Sequence, residues 1–308
     1  MPEEKQHFDT SVIISTYNNP VALEKTIWGY QAQSVADFEL LIADDGSTEE
    51  TARVIESFSG CGIPIRHFWQ KDSGFRKNRI LNKAIAGSQA RYLVFTDGDC
   101  IPRSDFVETH RRLRKPKRFL VAGSHIALPE TFHHSITRDD IISGDVFRSH
   151  WLKQQGHDSK KNLFRLSAQP WIQPLLNMST HRTGIFTGNG SSVWRKDAVA
   201  VNGFDERLGY GGDDKDFGFR LTALGLRSRM SKFSLISLHL DHAQPWVDQE
   251  VVRSNHEHIR FIRRNKIHWT DHGIQHTVSA APGTAMSPDF GIELGSELTD
   301  EFPLNRAA

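Results

Sequence analysis

The first hundred residues alternate between short apolar runs and stretches in which apolar residues recur at helical spacing. The short runs are bounded by polar, turn-forming residues, which is typical of buried strands. They occupy residues 11–15, 39–43, 63–68 and 91–96. The longer stretches between them predict helices, because each has an apolar face of the width that a core-packed helix needs.

Three helix starts can be placed from local residues. Pro20 suits the first position of a helix, where its missing N–H costs nothing. Ser47 and Glu50 form a capping-box pattern, so we expect Ser47 to cap the second helix. The third helix is predicted over residues 77–86. Strands separated by helices predict an α/β fold with a doubly wound, mostly parallel central sheet.

Polar residues collect where the predicted strands end, which is where open α/β sheets bind their ligands. The carboxylates of Asp97 and Asp99 stand two residues apart after the fourth strand, and oxygen ligands suit Mg²⁺ or Mn²⁺. The alternative is a surface turn, since Asp-Gly is common in turns. Asp45, after the second strand, can accept the imide N–H of a uracil ring, or belong to a helix-capping turn that includes Ser47.

Two later segments carry further candidates. Residues 211–216 read Gly-Gly-Asp-Asp-Lys-Asp before an apolar helical pattern, which puts a carboxylate at a helix N-terminus, where it can act as a base; the alternative is a capped helix start. Residues 239–242 read His-Leu-Asp-His after a strand-like run. A metal-binding interpretation of these histidines requires that they lie near Asp99, because isolated histidines are more often structural.

Composition narrows the class of protein. The chain has 308 residues, is 38% hydrophobic and carries a formal net charge of +1. The length suits one large α/β domain or two coupled halves, and the charge argues against a nucleic-acid partner. We expect residues 1–100 and 101–270 to form the two halves of the same domain. The tail, 271–308, is rich in Gly, Ser, Pro and Ala and is predicted to be loosely packed or disordered.

The expected location is cytoplasmic. The two cysteines make no disulfide framework, and no apolar run approaches the roughly 20 residues that span a bilayer. Two basic runs, 111–118 and 260–266, offer contact with the anionic inner face of a membrane. The competing interpretation, solvated helix faces, is the favoured one. Trp151, Trp171 and Trp194 are candidates for stacking on sugars, and Trp194 is preferred because it follows Gly188-Asn189-Gly190.

Six stretches in order resemble the family 2 glycosyltransferases, which have the GT-A nucleotide-diphospho-sugar transferase fold. The resemblance covers about residues 11–242, and the later block looks like the galactosyltransferase-type C-terminal module of bacterial chondroitin-polymerase-like enzymes. The stretches are SVIISTYNN, FELLIADDGSTEET, GFRKNRILNKAIAGS, YLVFTDGDCIP, GNGSSVWRKDAVAVNGFDERLGYGGDDKDFGFRL and LHLDH.

The resemblance implies that residues 1–100 are the nucleotide-sugar-binding half and 101–270 the acceptor-binding, catalytic half of one GT-A domain. It also implies roles for individual residues. The donor nucleotide and sugar would contact Ser15, Thr16, Tyr17, Asp45, Arg76, Asn82 and Asp97. Asp99 would bind the metal with His242, and His239 is the reserve ligand. Asp214 would be the general base, but Asp213 stands where the family has glutamate, so the division of roles between Asp213 and Asp214 stays open.

These roles imply an inverting transfer of a galactose- or N-acetylhexosamine-type sugar from a UDP-sugar, with Mn²⁺ or Mg²⁺. The acceptor would be a hydroxyl of a glycan or a lipid-linked acceptor in cell-surface polysaccharide synthesis. Two other interpretations are a nucleotidyltransferase and a sugar-nucleotide-binding protein without turnover. The first needs a glycine- and base-rich phosphate signature that SVIISTYNN lacks.

Overall fold

A seven-stranded mixed sheet forms the centre of the molecule. The computed structural model describes residues 8–123, 125–157, 159–179, 184–242 and 247–279. The strands of this sheet are β1 Thr10–Thr16, β2 Phe38–Asp44, β3 Ile65–Trp69, β4 Tyr92–Asp97, β6 Arg118–Val121, β8 Ser191–Trp194 and β9 Arg227–Met230. Their order is β3-β2-β1-β4-β8-β6-β9, and β8 is antiparallel to both of its neighbours. The predicted doubly wound, mostly parallel sheet is therefore confirmed.

A second, three-stranded sheet lies beside the first. It contains β5 Cys100–Pro102, β7 Ile126–Leu128 and β10 Ser237–Leu240, in the order β5-β10-β7. β10 runs antiparallel to β5, with His239 opposite Cys100. Since β5 follows β4 directly, this pairing brings the end of the later block next to the carboxylates that follow β4.

Twelve α-helices and two short 3-10 helices, Glu130–Phe132 and Asp145–Phe147, are present in the part of the chain that the structure describes. The α-helices are α1 Pro20–Gln31, α2 Glu49–Ser57, α3 Lys77–Gly87, α4 Phe106–Leu113, α5 Arg138–Ile142, α6 Ser149–Gln154, α7 Lys160–Ser167, α8 Gln173–Ser179, α9 Arg195–Ala200, α10 Asp213–Ala223, α11 Gln249–Asn265 and α12 Ile274–Ser279.

The central strands are buried on both faces, which is why they read as continuous apolar runs. Along β1, Ile13 packs into one hydrophobic cluster while Val12 and Ile14 pack into another on the opposite face. The first cluster includes α3 and a group of phenylalanines around Phe95, and the second includes α1. Helices thus cover both faces of the sheet. A ligand can reach the sheet at the carboxyl ends of its strands.

Two local predictions differ from the structure. Ser47 does not cap α2: the cap residue is Thr48, and the Ser47 hydroxyl instead accepts a hydrogen bond from the backbone N–H of Asn18, 2.8 Å away. The first residues of the predicted loose tail pack against the domain. The N–H of Ile274 donates to the carbonyl of Asn202 over 3.0 Å, and Ile274 is buried. Residues 280–308 of the predicted loose tail lie outside the described residues.

Candidate active site

One cleft of about 1130 Å³ opens at the carboxyl ends of β1, β2 and β4. It is closed on the other sides by the start of α10, the end of β10 and the first turns of α11. Ten of the residues predicted for the site line it: Ser15, Thr16, Tyr17, Asp45, Asp97, Asp99, Asp213, Asp214, His239 and His242. Distant stretches of the sequence therefore meet in one cavity.

The Asp45 carboxylate is held firmly at one end of the cleft. Gln70 Nε2 donates to its Oδ1 over 2.7 Å, and the backbone N–H of Arg76 donates to its Oδ2 over 2.8 Å. Burial raises the pKa of Asp45 to about 6. Gly46 follows with φ of +94°, and a Cβ there would lie 2.5 Å from the backbone nitrogen of Asp72. Only glycine fits this turn, which presents Asp45 to the cleft.

The carboxylate of Asp99 lies between two imidazole rings. His242 Nε2 is 3.0 Å and His239 Nε2 is 3.4 Å from the same oxygen, Oδ2. Burial by itself would raise the pKa of Asp99, but the hydrogen bonds with His239 and His242 outweigh it and hold that pKa well below the usual range. The Nδ1 of His239 lies 3.0 Å from Asp241 Oδ1. A carboxylate that orients a histidine ring in this way is the usual support of a metal ligand.

The neighbouring thiol helps to position Asp99. Cys100 is buried, and its Sγ donates to Asp99 Oδ1 over 3.4 Å. Burial raises the pKa of the Cys100 thiol well above its ordinary value. The donor atoms of Asp99, Cys100 and His239 all lie within 4.8 Å of one another, and His242 contacts the same Asp99 oxygen as His239. Carboxylate oxygen and imidazole nitrogen are donors that fit a divalent cation.

Asp214 occupies the opposite wall, in the first turn of α10. The backbone N–H of Gly188 donates to its Oδ2 over 2.7 Å, while Oδ1 is buried without a hydrogen-bond partner among the described residues. Burial and the nearby charge of Asp213 raise the pKa of Asp214. Gly211 and Gly212 both have positive φ, so the turn that begins the helix needs glycine. The result is a carboxylate with one free oxygen and an increased affinity for a proton.

Lys77 is a site residue that the sequence analysis missed. Its Nζ lies 2.8 Å from Asp97 Oδ1, and the Ser15 hydroxyl donates to the same oxygen over 2.7 Å. Burial alone would lower the pKa of Lys77, but the charges of Asp97, Asp214 and Asp213 raise it well above the ordinary value. A permanent cation therefore stands among three carboxylates. The sequence RKNR shows that a basic residue stands here, but it does not show which one enters the cleft. Lys77 does so because it is the first residue of α3.

Two predicted donor contacts do not reach the cleft. The Arg76 side chain is exposed, and it is the backbone N–H of this residue that serves the site, through Asp45. Asn82 is fully buried away from the cleft. Its Nδ2 donates to the carbonyl of Phe204 over 2.9 Å, and its Oδ1 accepts the N–H of Phe204 over 2.8 Å. Asn82 thus connects α3 to the loop before α10, so it is not carried into the proposed site.

The tryptophans predicted for sugar stacking also lie elsewhere. Trp194 packs edge-to-face on Tyr92, with ring centroids 5.1 Å apart, and its Nε1 donates to the carbonyl of Lys115. The Trp151 ring is buried and its Nε1 donates to Asp140. Trp171 is exposed on the surface. None of the three belongs to the cleft lining among the described residues.

His125 and Asn189 join the two walls and were not predicted. The ring of His125 stacks on His239 with centroids 4.3 Å apart, and the Nδ2 of Asn189 lies 2.6 Å from His125 Nδ1. Asn189 follows Gly188, which holds Asp214. A chain of contacts through His125, Asn189 and Gly188 therefore links His239 to Asp214. Sequence spacing does not reveal this link.

Comparison with known proteins gives two successive family matches. The model described as glycosyl transferase family 2 matches residues 11–149, and the one described as N-terminal domain of galactosyltransferase matches residues 173–243. Validoxylamine A glucosyltransferase of Streptomyces hygroscopicus subsp. jinggangensis is 28% identical over 251 residues, covering 76% of this chain and 56% of that protein. Chondroitin synthase of Escherichia coli is 23% identical over 224 residues, covering 68% of this chain and 32% of that protein. The chain thus spans about half, or less, of the length of these relatives.

The fold has counterparts among solved structures. A mannosyltransferase from Pyrobaculum calidifontis, solved with GDP-Man and Mn²⁺, superposes with a TM-score of 0.57 at 16% identity. The match covers 91% of this chain and 71% of the other. The fold is thus that of a GT-A-type nucleotide-diphospho-sugar transferase. With both matches in order, residues 11–149 of this chain are those of a family 2 glycosyltransferase, and residues 173–243 match a galactosyltransferase-type module. No helix in the described part of the chain combines the length and apolarity that a bilayer crossing needs.

Proposed function

We propose that this protein is an inverting, metal-dependent glycosyltransferase that moves a sugar from a UDP-sugar to a hydroxyl of a glycan or lipid-linked acceptor. A single observation carries the proposal. The carboxylate–imidazole set of Asp99, His239 and His242 shares one cleft with Asp214, whose buried Oδ1 has no protein partner among the described residues. A cation site and a proton acceptor in one cleft are what displacement at an anomeric carbon requires.

Asp45 is proposed to recognise the nucleobase. Its carboxylate is fixed by Gln70 and the Arg76 backbone, and it lines the cleft beside Tyr17. An ionised carboxylate accepts the imide N–H of uracil. Because the pKa of Asp45 is raised to about 6, we expect uridine nucleotides to bind more tightly as the pH rises through that value.

The metal is proposed to lie against Asp99, His239 and His242. The low pKa of Asp99 keeps this carboxylate charged, and Asp241 orients the His239 ring. When bound, a divalent cation such as Mn²⁺ or Mg²⁺ offsets the negative charge that the departing diphosphate gains. The chain's own residues hold the oxygen and nitrogen donors in place, and the Cys100 thiol contacts Asp99 beside them.

Asp214 is proposed to take the acceptor's proton. The acceptor oxygen forms a bond to the anomeric carbon while the bond from that carbon to the diphosphate oxygen breaks, and the electron pair leaves with UDP. The proton of the acceptor hydroxyl passes to Asp214 Oδ1. Such general-base catalysis typically contributes about 10²–10⁴-fold. Asp213 and Lys77 set the affinity of Asp214 for that proton through their charges.

The donor sugar is proposed to be galactose or an N-acetylhexosamine, in cell-surface polysaccharide synthesis, on the strength of the galactosyltransferase-type match over 173–243. The test is incubation with UDP-galactose, UDP-N-acetylgalactosamine, UDP-glucose and UDP-N-acetylglucosamine in the presence of Mn²⁺. GDP-mannose is the control for the choice of nucleobase. We expect slow release of UDP from at least one donor, and loss of that release with EDTA.

The same assay separates the competing functions. A nucleotidyltransferase would release pyrophosphate from a nucleoside triphosphate instead of UDP from a UDP-sugar. A binding protein without turnover would be stabilised thermally by a UDP-sugar and release nothing. Either result would overturn the transferase proposal. The Asp139→Asn variant removes a carboxylate from the exposed surface of α5, outside the cleft. It should release UDP as the unmodified chain does.

A further inference from the structure

Helix α8 turns its polar side towards the protein and its apolar side outwards. Gln173 is buried, and its Nε2 donates to the carbonyl of Ala168 over 3.0 Å. One turn later, Asn177 Nδ2 lies 2.8 Å from the Ser234 hydroxyl, and its Oδ1 accepts the N–H of Phe233 over 2.8 Å. A surface helix normally buries its apolar side. Here hydrogen bonds anchor the helix, so its apolar residues stay available.

The outward residues form one surface, which we call the α7–α8 face: Phe164, Trp171, Leu175 and Met178. Their exposed fractions are 56%, 79%, 65% and 65%. Trp171, Leu175 and Met178 are spaced four and three residues apart, so they lie along one side of the helical turns. Phe164 of α7 packs edge-to-face on Phe233, with centroids 5.9 Å apart. Since Phe233 is bonded to Asn177, the two helices present their apolar side chains on the same part of the surface.

The sequence around α7 and α8 carries exposed lysines. Lys153, Lys160 and Lys161 are exposed. Between residues 149 and 179 the sequence holds one acidic residue, Asp158, which lies outside the described residues. Exposed aromatic and aliphatic side chains with lysines at their border are typical of helices that lie in the interface of an anionic membrane.

We propose that the α7–α8 face docks this protein on an anionic lipid bilayer. The face belongs largely to residues 150–172, between the two family matches, and continues into α8. It is distinct from the two basic runs of the sequence. In the first run, Arg111 and Arg114 are each 2.8 Å from Asp9 oxygens, and Arg114 also stacks over Tyr92 and Trp194. In the second run, Arg263 lies over Phe219.

The position of the face suits an acceptor held at the membrane. The nine peptide steps from Met178 to Thr187, which lines the cleft, span at most about 32 Å when fully extended. A docked α8 therefore keeps the cleft within that distance of the lipid headgroups. This part of the inference rests on the proposed function, whereas membrane binding itself does not.

Vesicle sedimentation tests the proposal. The full chain is mixed with vesicles of phosphatidylcholine alone, or of phosphatidylcholine with phosphatidylglycerol, without nucleotide sugar. We expect binding to the anionic vesicles only, weakened by salt. Leu175→Ser/Met178→Ser should reduce the partition coefficient at least tenfold, an order-of-magnitude figure from the apolar area lost. Lys160→Gln/Lys161→Gln should reduce it by about 25-fold, since each charge contributes roughly fivefold.

Matched variants elsewhere decide the location. Phe261→Ser removes an equally exposed aromatic ring from α11, and Arg260→Gln/Arg264→Gln removes two charges of the second basic run. Both are expected to bind vesicles as the unmodified chain does. The proposal is wrong if no vesicle is bound, if these controls lose as much binding as the α7–α8 variants, or if light scattering shows that the face joins two copies of the chain instead. An unchanged circular dichroism spectrum and melting temperature of Leu175→Ser/Met178→Ser show that this variant is folded, so its vesicle binding is tested whether or not the transferase proposal holds.

Discussion

The two walls of the cleft use the same side chain for opposite purposes. Asp99 and Asp214 are both aspartates within one cavity, yet the pKa of Asp99 is lowered by two histidines while that of Asp214 is raised by burial and by Asp213. The first carboxylate is kept charged, which suits a cation. The second is made a better proton acceptor. Environments that push two carboxylates apart in this way assign their roles more clearly than the residue types do.

The largest expected effect comes from removing the proton acceptor. Asp214→Asn keeps the shape of the side chain and should lower kcat by about 10²–10⁴-fold. The affinity for UDP and Mn²⁺, measured by calorimetry, should stay nearly unchanged because Asp99 and Asp45 are untouched. Full turnover in this variant would transfer the role to Asp213, and Asp213→Asn is the companion experiment.

The opposite wall is tested through metal-dependent binding. His242→Ala and His239→Ala should each weaken Mn²⁺-dependent binding of UDP by about 10- to 100-fold, since even indirect supports of metal ligands have effects of that size. Titration of UDP with and without Mn²⁺ measures this. His134→Ala, on an exposed surface, is the control. If one histidine variant binds normally, that residue is not a ligand.

Lys77 sharpens the comparison because its charge lowers the pKa of Asp214, whereas the low pKa of Asp99 comes from His239 and His242. Lys77→Met removes the cation that lowers the pKa of Asp214, so that pKa should rise further. The base must be ionised, so turnover increases with pH through this pKa and the acid limb of the pH–kcat profile should move upward by about one pH unit. Because the pKa of Asp214 starts at about 7, the loss is about fivefold at pH 7 and about tenfold well below that pH. Lys71→Met, at an exposed site, should leave the profile in place.

The smallest effect on turnover is expected for Asn82. Asn82→Ala breaks its hydrogen bonds with Phe204 inside the protein, so it should reduce the free energy of unfolding by about 1–3 kcal/mol. Urea denaturation measures this, and the affinity for UDP should not change. A weakened affinity with normal stability would restore Asn82 to the donor site.

Much of the site was readable because parallel strands end at one edge of a sheet. The apolar runs predicted β1 to β4, and the polar residues that follow them, including Asp45, Asp97 and Asp99, do line the cleft. Helix α10 was predicted from the glycines before Asp213. These features depend on local periodicity and turn chemistry, which a sequence expresses directly.

The sequence by itself thus determined the architecture of this protein, the edge of the sheet where chemistry occurs and the carboxylates that stand there. Only the tertiary structure decided that Lys77 rather than Arg76 enters the cleft, that Asn82 is structural, that Trp194 packs on Tyr92, and that α8 turns its apolar side outwards. Each of these depends on the direction in which a side chain leaves its helix or strand and on a partner more than ten residues away. The lowered pKa of Asp99 and the raised pKa of Asp214 also depend on the tertiary structure, because burial and neighbouring charge are properties of the folded chain.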